Sequence, residues 1–230
     1  MSEPVENPQK SAAEIQADRL IRRHDRNLRK ARAEGFMAGV CAMLRPGDTV
    51  LDCGANIGMV SAQLAATPAR VIAYEPDPYA FSRLGDRFAD TPNITLVNAA
   101  VAAHPGTVRL MRAENFDANP EGASVKSTIL DGGRAINADT GLDVTCLSFL
   151  DILRDLATAD RPLAFVKMDI EGAELEILET MLAQDMFGHI RCLVAETHER
   201  KFKHLRPRFR ALRSEIASRF AVGHVNLDWI

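Results

Sequence analysis

From Thr49 to the C-terminal end, short apolar runs alternate with stretches of helical periodicity. The runs are "TVLDC", "RVIAYEP", "NITLVNAAV", "GTVRLMR", "LDVTCLS", "LAFVKMDI", "IRCLVAET" and "FAVGHVNLDWI". Helical patterns lie over about 58–66, 79–88, 172–184 and 207–219, with another opening after Ser148. Strands that are apolar along their whole length, rather than on alternate residues, are buried on both faces. Five of the eight runs are followed by a helix long enough to cross back over a sheet. The pattern therefore predicts an α/β fold with a mostly parallel sheet and helices on both faces. In such sheets ligands bind beyond the carboxyl ends of the strands. The chain's 230 residues suffice for one such domain with a short appendage.

Two stretches stand outside the pattern. Residues 1–35 read as an N-terminal extension. Its first 13 residues are polar and predicted to be disordered, and a helix follows over 14–33. Arg19, Arg22, Arg23, Arg26, Arg29, Lys30 and Arg32 make that helix basic, with a narrow apolar stripe of Ile15, Leu20, Ile21 and Leu28. The stripe is expected to pack; the other reading is a patch that meets an acidic substrate or a partner chain. A separate short apolar helix, "GFMAGVCAMLRPGD", opens the main domain, 36–230. Within that domain 113–141 lacks periodicity and reads as a loop insertion, either functional or disordered.

A net charge of −3 gives no general attraction to nucleic acid or to a membrane surface. No apolar run is long enough to span a bilayer, and the N-terminus lacks a signal-peptide layout, so a cytoplasmic protein is expected. Cys41, Cys53, Cys146 and Cys192 include no C-x-x-C pair, which argues against a metal cluster or disulfide framework. Homo-oligomerisation is left open.

"VLDCGANIG" is a strand, a turn and a helix start. Gly54 and Gly58 permit unusual backbone angles and close approach of a ligand. Glu75 ends the next strand, where a carboxylate can accept two hydrogen bonds from a ribose diol. Both a dinucleotide and S-adenosylmethionine fit this outline. The spacing is G-x-x-x-G rather than G-x-G-x-x-G, and Asn56 replaces the middle glycine. Asp52 would repel a pyrophosphate but suits a ligand bearing an ammonium and a sulfonium, which favours S-adenosylmethionine over a nicotinamide cofactor. A tight turn that merely packs helix on strand is the bland reading.

The combination of "VLDCGANIG", "AYEPDP", "NAAV" and "VKMDIEGAELEIL" resembles the FkbM family of S-adenosylmethionine-dependent methyltransferases, over about residues 36–200. The resemblance implies the class I methyltransferase (Rossmann-like) fold and O-methylation of a small-molecule hydroxyl, in sugar, polyketide or other specialised biosynthesis. It implies that Asp52, Gly54, Asn56 and Gly58 line the methionine part of the cofactor. Glu75 would then bind the ribose, and Asn98 and Ala99 would lie near the adenine. Ser124, in "GASVKS", is a candidate substrate contact. Leu147-Ser148 stands where the family has Leu-Asp, and Ser148 can still cap a helix. After Arg219 there is room for one strand, where a class I sheet closes with a sixth and an antiparallel seventh. The alternatives are a cofactor-binding protein without transfer activity and a nicotinamide oxidoreductase.

In that fold the strands ending at Asp169 and Glu196 are neighbours, with Glu171 and His198 just beyond. Three readings of these residues stand. Asp169 or Glu171 caps the following helix, with Glu174 as a helix-start charge. Alternatively Asp169 or His198 is the general base for the acceptor hydroxyl. In the third reading Asp169, Glu196 and His198 hold a divalent ion such as Mg²⁺ that lowers the hydroxyl pKa. Lys167, in the middle of an apolar strand, is expected to form a buried ion pair. His24, His104, His189, His204 and His224 read as surface residues, and "ERKFKHLRPRFR" as a solvated basic loop.

Overall fold

The computed structural model describes residues 11–113, 116, 127–129, 136–158 and 160–229. These fall into two compact units, one reaching Gly39 and the other comprising Val40–Trp229.

Helix α1 (Ala12–Met43) starts at a capping box. Ser11 Oγ accepts from Glu14 N at 3.3 Å, and Glu14 Oε2 accepts from Ser11 N at 2.8 Å. It is one helix rather than the expected two. Gly35 and Gly39 lower helix propensity by about 1 kcal/mol each but keep their N–H donors, so the ladder continues until the chain nears Pro46. Ile15, Leu20, Ile21 and Leu28 are exposed, so the stripe does not pack as expected.

The second unit is built on a six-stranded sheet ordered β3-β2-β1-β7-β8-β9, with every pair parallel. Its strands are β1 (Thr49–Cys53), β2 (Arg70–Tyr74), β3 (Ile94–Val97), β7 (Phe165–Met168), β8 (Leu193–Ala195) and β9 (Val225–Asn226). This is the doubly wound order, in which connections reverse direction beside β1. Alternate residues of the strands face different helices. Leu51, Cys53, Ile72, Tyr74, Val166 and Met168 pack against α4 (Phe149–Leu156), α5 (Glu174–Ala183) and α6 (Arg206–Arg219). Ala73 packs on the other face with Leu84 and Phe88 of α3 (Pro78–Phe88) and beside α2 (Met59–Ala65). The expected two-sided α/β fold is what the chain forms.

A second sheet, β4-β6-β5, sits outside this order. Here β4 (Ala100–Ala102) runs parallel, and β5 (Gly106–Ala113) antiparallel, to β6 (Ile136–Ser148). The run "NITLVNAAV" is thus two strands. A tight turn, with Ala99 N donating to Val97 O, takes the chain from one sheet to the other. Residues 136–141, read from the sequence as the end of a loop, belong to β6. Ser148 caps α4 by accepting from Asp151 N at 3.2 Å, as expected. Among the described residues the main sheet ends at β9, and Glu196 makes an isolated antiparallel bridge with Asp228. Among the described residues no helix is long and apolar enough to cross a membrane.

Candidate active site

The turn after β1 is fixed from three sides. Gly54 N and Ala55 N both donate to Tyr74 O, at 3.0 and 2.9 Å. Lys167 Nζ donates to Gly54 O at 2.8 Å. Gly54 has φ +80°, and a Cβ there would overlap the Asp169 carbonyl oxygen. Gly58 has φ +83°, and a Cβ there would lie 2.6 Å from Phe88 and 2.8 Å from Leu84. The space beside both glycines is thus filled by protein atoms, so close packing is what demands glycine at these two positions.

Asp52 does not have the surroundings that the sequence suggested. It is fully buried, accepts from Ser61 Oγ at 2.6 Å, and lies 3.3 Å from Lys167 Nζ. The two are register partners across β1 and β7. Its cationic neighbour is a lysine of the same sheet, so its charge is already balanced within the fold. Lys167 also approaches Asp169, at 3.6 Å. Burial works against the lysine's charge, but Asp52 and then Asp169 overcome it and hold its pKa above the usual range. The expected buried ion pair is present.

Glu75 directly follows β2 and is almost fully buried. Its Oε2 accepts from Asn56 N at 2.8 Å and its Oε1 from Asp77 N at 2.9 Å. Burial raises its pKa to about 7 against these two hydrogen bonds. Asn56 sits at φ +48° with its own Oδ1 accepting from Ile57 N. Asn98 donates to Glu75 O at 2.8 Å and to Pro76 O at 3.2 Å, and Ala99 beside it is buried. Asp52, Gly54, Asn56, Gly58, Glu75, Asn98 and Ala99 therefore cluster at the carboxyl ends of β1, β2 and β3. Asp77 caps α3 and makes a two-pronged pair with Arg112, whose guanidinium lies 3.9 Å from the Phe116 ring centre. That brace was not foreseen.

The acidic junction follows β7. Glu171 sits at φ +59°, a left-handed conformation uncommon for a residue with a side chain, and Lys201 pairs with its carboxylate. Thr128 Oγ1 donates to Glu171 O at 2.7 Å. Glu174 opens α5 as expected, and it is also fully buried. It accepts from Ile170 N at 2.7 Å and from Gly172 N at 2.8 Å, closing the loop before α5. The signal was available. Glu174 lies three and four residues before Ile177 and Leu178, on the apolar face of its helix.

His198 binds these acids together. Its side chain is 3% exposed, with Nδ1 3.2 Å from Glu174 Oε1. Its Nε2 lies 3.3 Å from Glu171, 3.7 Å from Asp169 and 3.9 Å from Glu196. Burial pulls the imidazole pKa down, but Glu174 and Glu171 outweigh that and raise it to about 9. Burial, followed by the Asp169 charge, raises Glu196 to about 7. Burial also raises Glu171. Asp169 and Glu196, 31% and 34% exposed, form the accessible rim above a buried floor of His198 and Glu174. One ligand atom from each of Asp169, Glu196 and His198 falls within 4.8 Å of the others. The structure thus brings together Asp169, Glu171, Glu196 and His198; Ser124 lies outside the described residues.

Other sequence expectations are adjusted locally. His224 is half-buried, with Nε2 2.8 Å from Ile190 O, so it is a packing residue rather than a surface one. His189 is also half-buried. Within "ERKFKHLRPRFR", Phe202 and Phe209 are buried, which makes that stretch part of the core as well as a basic surface.

The chain is similar to known methyltransferases. The FkbM enzyme of Streptomyces tacrolimicus, a 31-O-demethyl-FK506 methyltransferase, is 28% identical over 68% of this chain and 67% of its own. The hexuronic acid methyltransferase AglP of Haloferax volcanii is 27% identical over 58% of this chain and 50% of its own. A probable ribosomal RNA small subunit methyltransferase A of Methanosarcina acetivorans is 45% identical, but over only 25% of this chain and 22% of its own. The matches thus span from about a fifth to two thirds of these relatives' lengths. The model of the methyltransferase FkbM domain matches residues 52–220, which is most of the second unit, and the chain belongs to that methyltransferase family.

Proposed function

We propose that this protein transfers a methyl group from S-adenosylmethionine to a hydroxyl of a small molecule. The observation that carries the reading is the convergence of Asp169, Glu196 and His198 beside the β1 turn, with both carboxylates accessible. The cofactor would lie along the carboxyl ends of β1, β2 and β3, its ribose diol donating to Glu75 and its adenine near Asn98 and Ala99. Glu75 has spare acceptor capacity on both oxygens beyond its two backbone donors. The names of the hexuronic acid and FK506 relatives support a small hydroxylated acceptor. The charge argument from Asp52 does not support the reading, because Lys167 already balances that residue.

The chemistry is an in-line displacement. The acceptor oxygen attacks the methyl carbon, the O–C bond forms, and the C–S bond breaks with its electron pair moving to sulfur. The products are the methyl ether and S-adenosylhomocysteine, with the hydroxyl proton passing by way of the carboxylate rim to solvent. Positioning does most of the work, with the oxygen held at about 3–3.5 Å from the methyl carbon.

Calorimetric titration of the folded protein with S-adenosylmethionine, S-adenosylhomocysteine and NAD tests the cofactor assignment. Saturable binding of the first two without NAD binding is expected. Failure of both to bind would overturn the reading, and a preference for NAD would restore the oxidoreductase alternative.

A further inference from the structure

We infer that Asp169, Glu196 and His198 form a divalent-cation site that holds the acceptor oxygen, with Glu174 fixing the imidazole behind it. This rests on the proposed function, because it makes the same junction the acceptor end of the site.

Three independent features point to a cation. The first is spacing. Ligands that share a cation at about 2.1 Å lie about 3.0 Å apart when adjacent and about 4.2 Å apart when opposite. His198 Nε2 stands 3.7 Å from Asp169 Oδ1 and 3.9 Å from Glu196 Oε1, too far for hydrogen bonds and within that range. The second is the imidazole. Its side chain is buried, its Nδ1 faces the buried Glu174 carboxylate at 3.2 Å, and its Nε2 faces Glu171 at 3.3 Å and the two rim carboxylates beyond it. A carboxylate behind Nδ1 orients a ligating histidine and raises its basicity. The third is charge. Asp52, Asp169, Glu171, Glu174 and Glu196 crowd around three cationic groups, Lys167, Lys201 and the His198 imidazole, which leaves an excess of negative charge. Lys201 engages Glu171 and Lys167 reaches Asp169 Oδ2, which leaves Asp169 Oδ1 and Glu196 as the accessible carboxylate oxygens beside His198 Nε2.

The donor set selects the ion. Two carboxylates and one imidazole suit Mn²⁺ better than Mg²⁺, which favours an all-oxygen shell with several waters. Such an ion would accept the acceptor hydroxyl as a ligand, lower its pKa and release its proton to solvent.

Titration of Mn²⁺ into the full chain, followed by the electron paramagnetic resonance of free Mn²⁺, tests the site without reference to activity. Loss of the free-ion signal at one equivalent is expected. Asp169→Asn and Glu196→Gln should each weaken binding about ten-fold or more, and Glu174→Gln by about 10–100-fold. S-adenosylmethionine calorimetry on the same samples reports whether each variant keeps a working fold. Unchanged free Mn²⁺ in protein that binds the cofactor would overturn the cation site and leave the proposed function standing. Mn²⁺ binding that survives all three substitutions would also overturn it. Mn²⁺ binding lost in variants whose circular dichroism matches the wild type, in protein that never binds the cofactor, would support the cation site while contradicting the proposed function.

Discussion

The backbone carbonyl of Asp169 occupies the space that a side chain on Gly54 would need. The end of β7 and the turn after β1 therefore close on each other through backbone atoms, which cannot rotate away. At Gly58 the obstructing atoms belong to the Leu84 and Phe88 side chains, which can shift. Both glycines have φ near +80°, where a Cβ is strained. We predict that Gly54→Ala lowers stability by more than about 2 kcal/mol and Gly58→Ala by less. Urea unfolding of the two variants checks this; a Gly58→Ala variant at least as destabilised as Gly54→Ala would contradict it.

Lys167 and Asp52 face each other across β1 and β7, both almost wholly buried. Removing one partner strands a charge in the core. Lys167→Met is expected to cost about 3–5 kcal/mol, and the double variant Lys167→Met with Asp52→Asn much less. Denaturation midpoints of the single and double variants decide it. If the second substitution recovers nothing, the pair is not a balanced unit.

Glu75 links stability to pH. Burial raises its carboxyl to about 7 from an ordinary value of 4.5, so the folded state holds a proton that the unfolded chain releases. The contribution is complete below pH 4.5 and is lost as pH rises through about 7. Wild-type stability should fall between these values relative to Glu75→Gln, which carries no titrating group there. Parallel pH–stability profiles for the two proteins would contradict this.

Much of the fold is written in residue patterns. "TVLDC", "RVIAY" and "FVKM" read as strands because parallel strands covered on both faces must be apolar throughout. Residues 136–141, "INADTG", carry no such pattern; pairing of Ile136 and Asn137 with the neighbouring β5, across a register shift, extends β6 through them. The split of "NITLVNAAV" was hidden because it rests on a turn at Asn98 and Ala99, within an apolar run. In the site, the meeting of Asp169, Glu196 and His198 was legible because the family resemblance implies a strand order in which β7 and β8 are neighbours, as they are. The partner of Asp52 was not, because a lysine 115 residues away in sequence is brought beside it by register alone.

Asp169→Asn keeps the shape of the rim residue and removes its charge. Its turnover is expected to fall by about 10²-fold or more, with cofactor affinity changed little. If turnover survives, Asp169 is only a structural end to β7.

The most direct measurement is transfer of labelled methyl from S-adenosylmethionine into a pool of hydroxylated small molecules. The account predicts a labelled methyl ether and an equal amount of S-adenosylhomocysteine with the wild-type protein, and loss of both with Asp169→Asn. Cofactor binding without transfer to any hydroxyl would contradict it and leave a binding protein in its place.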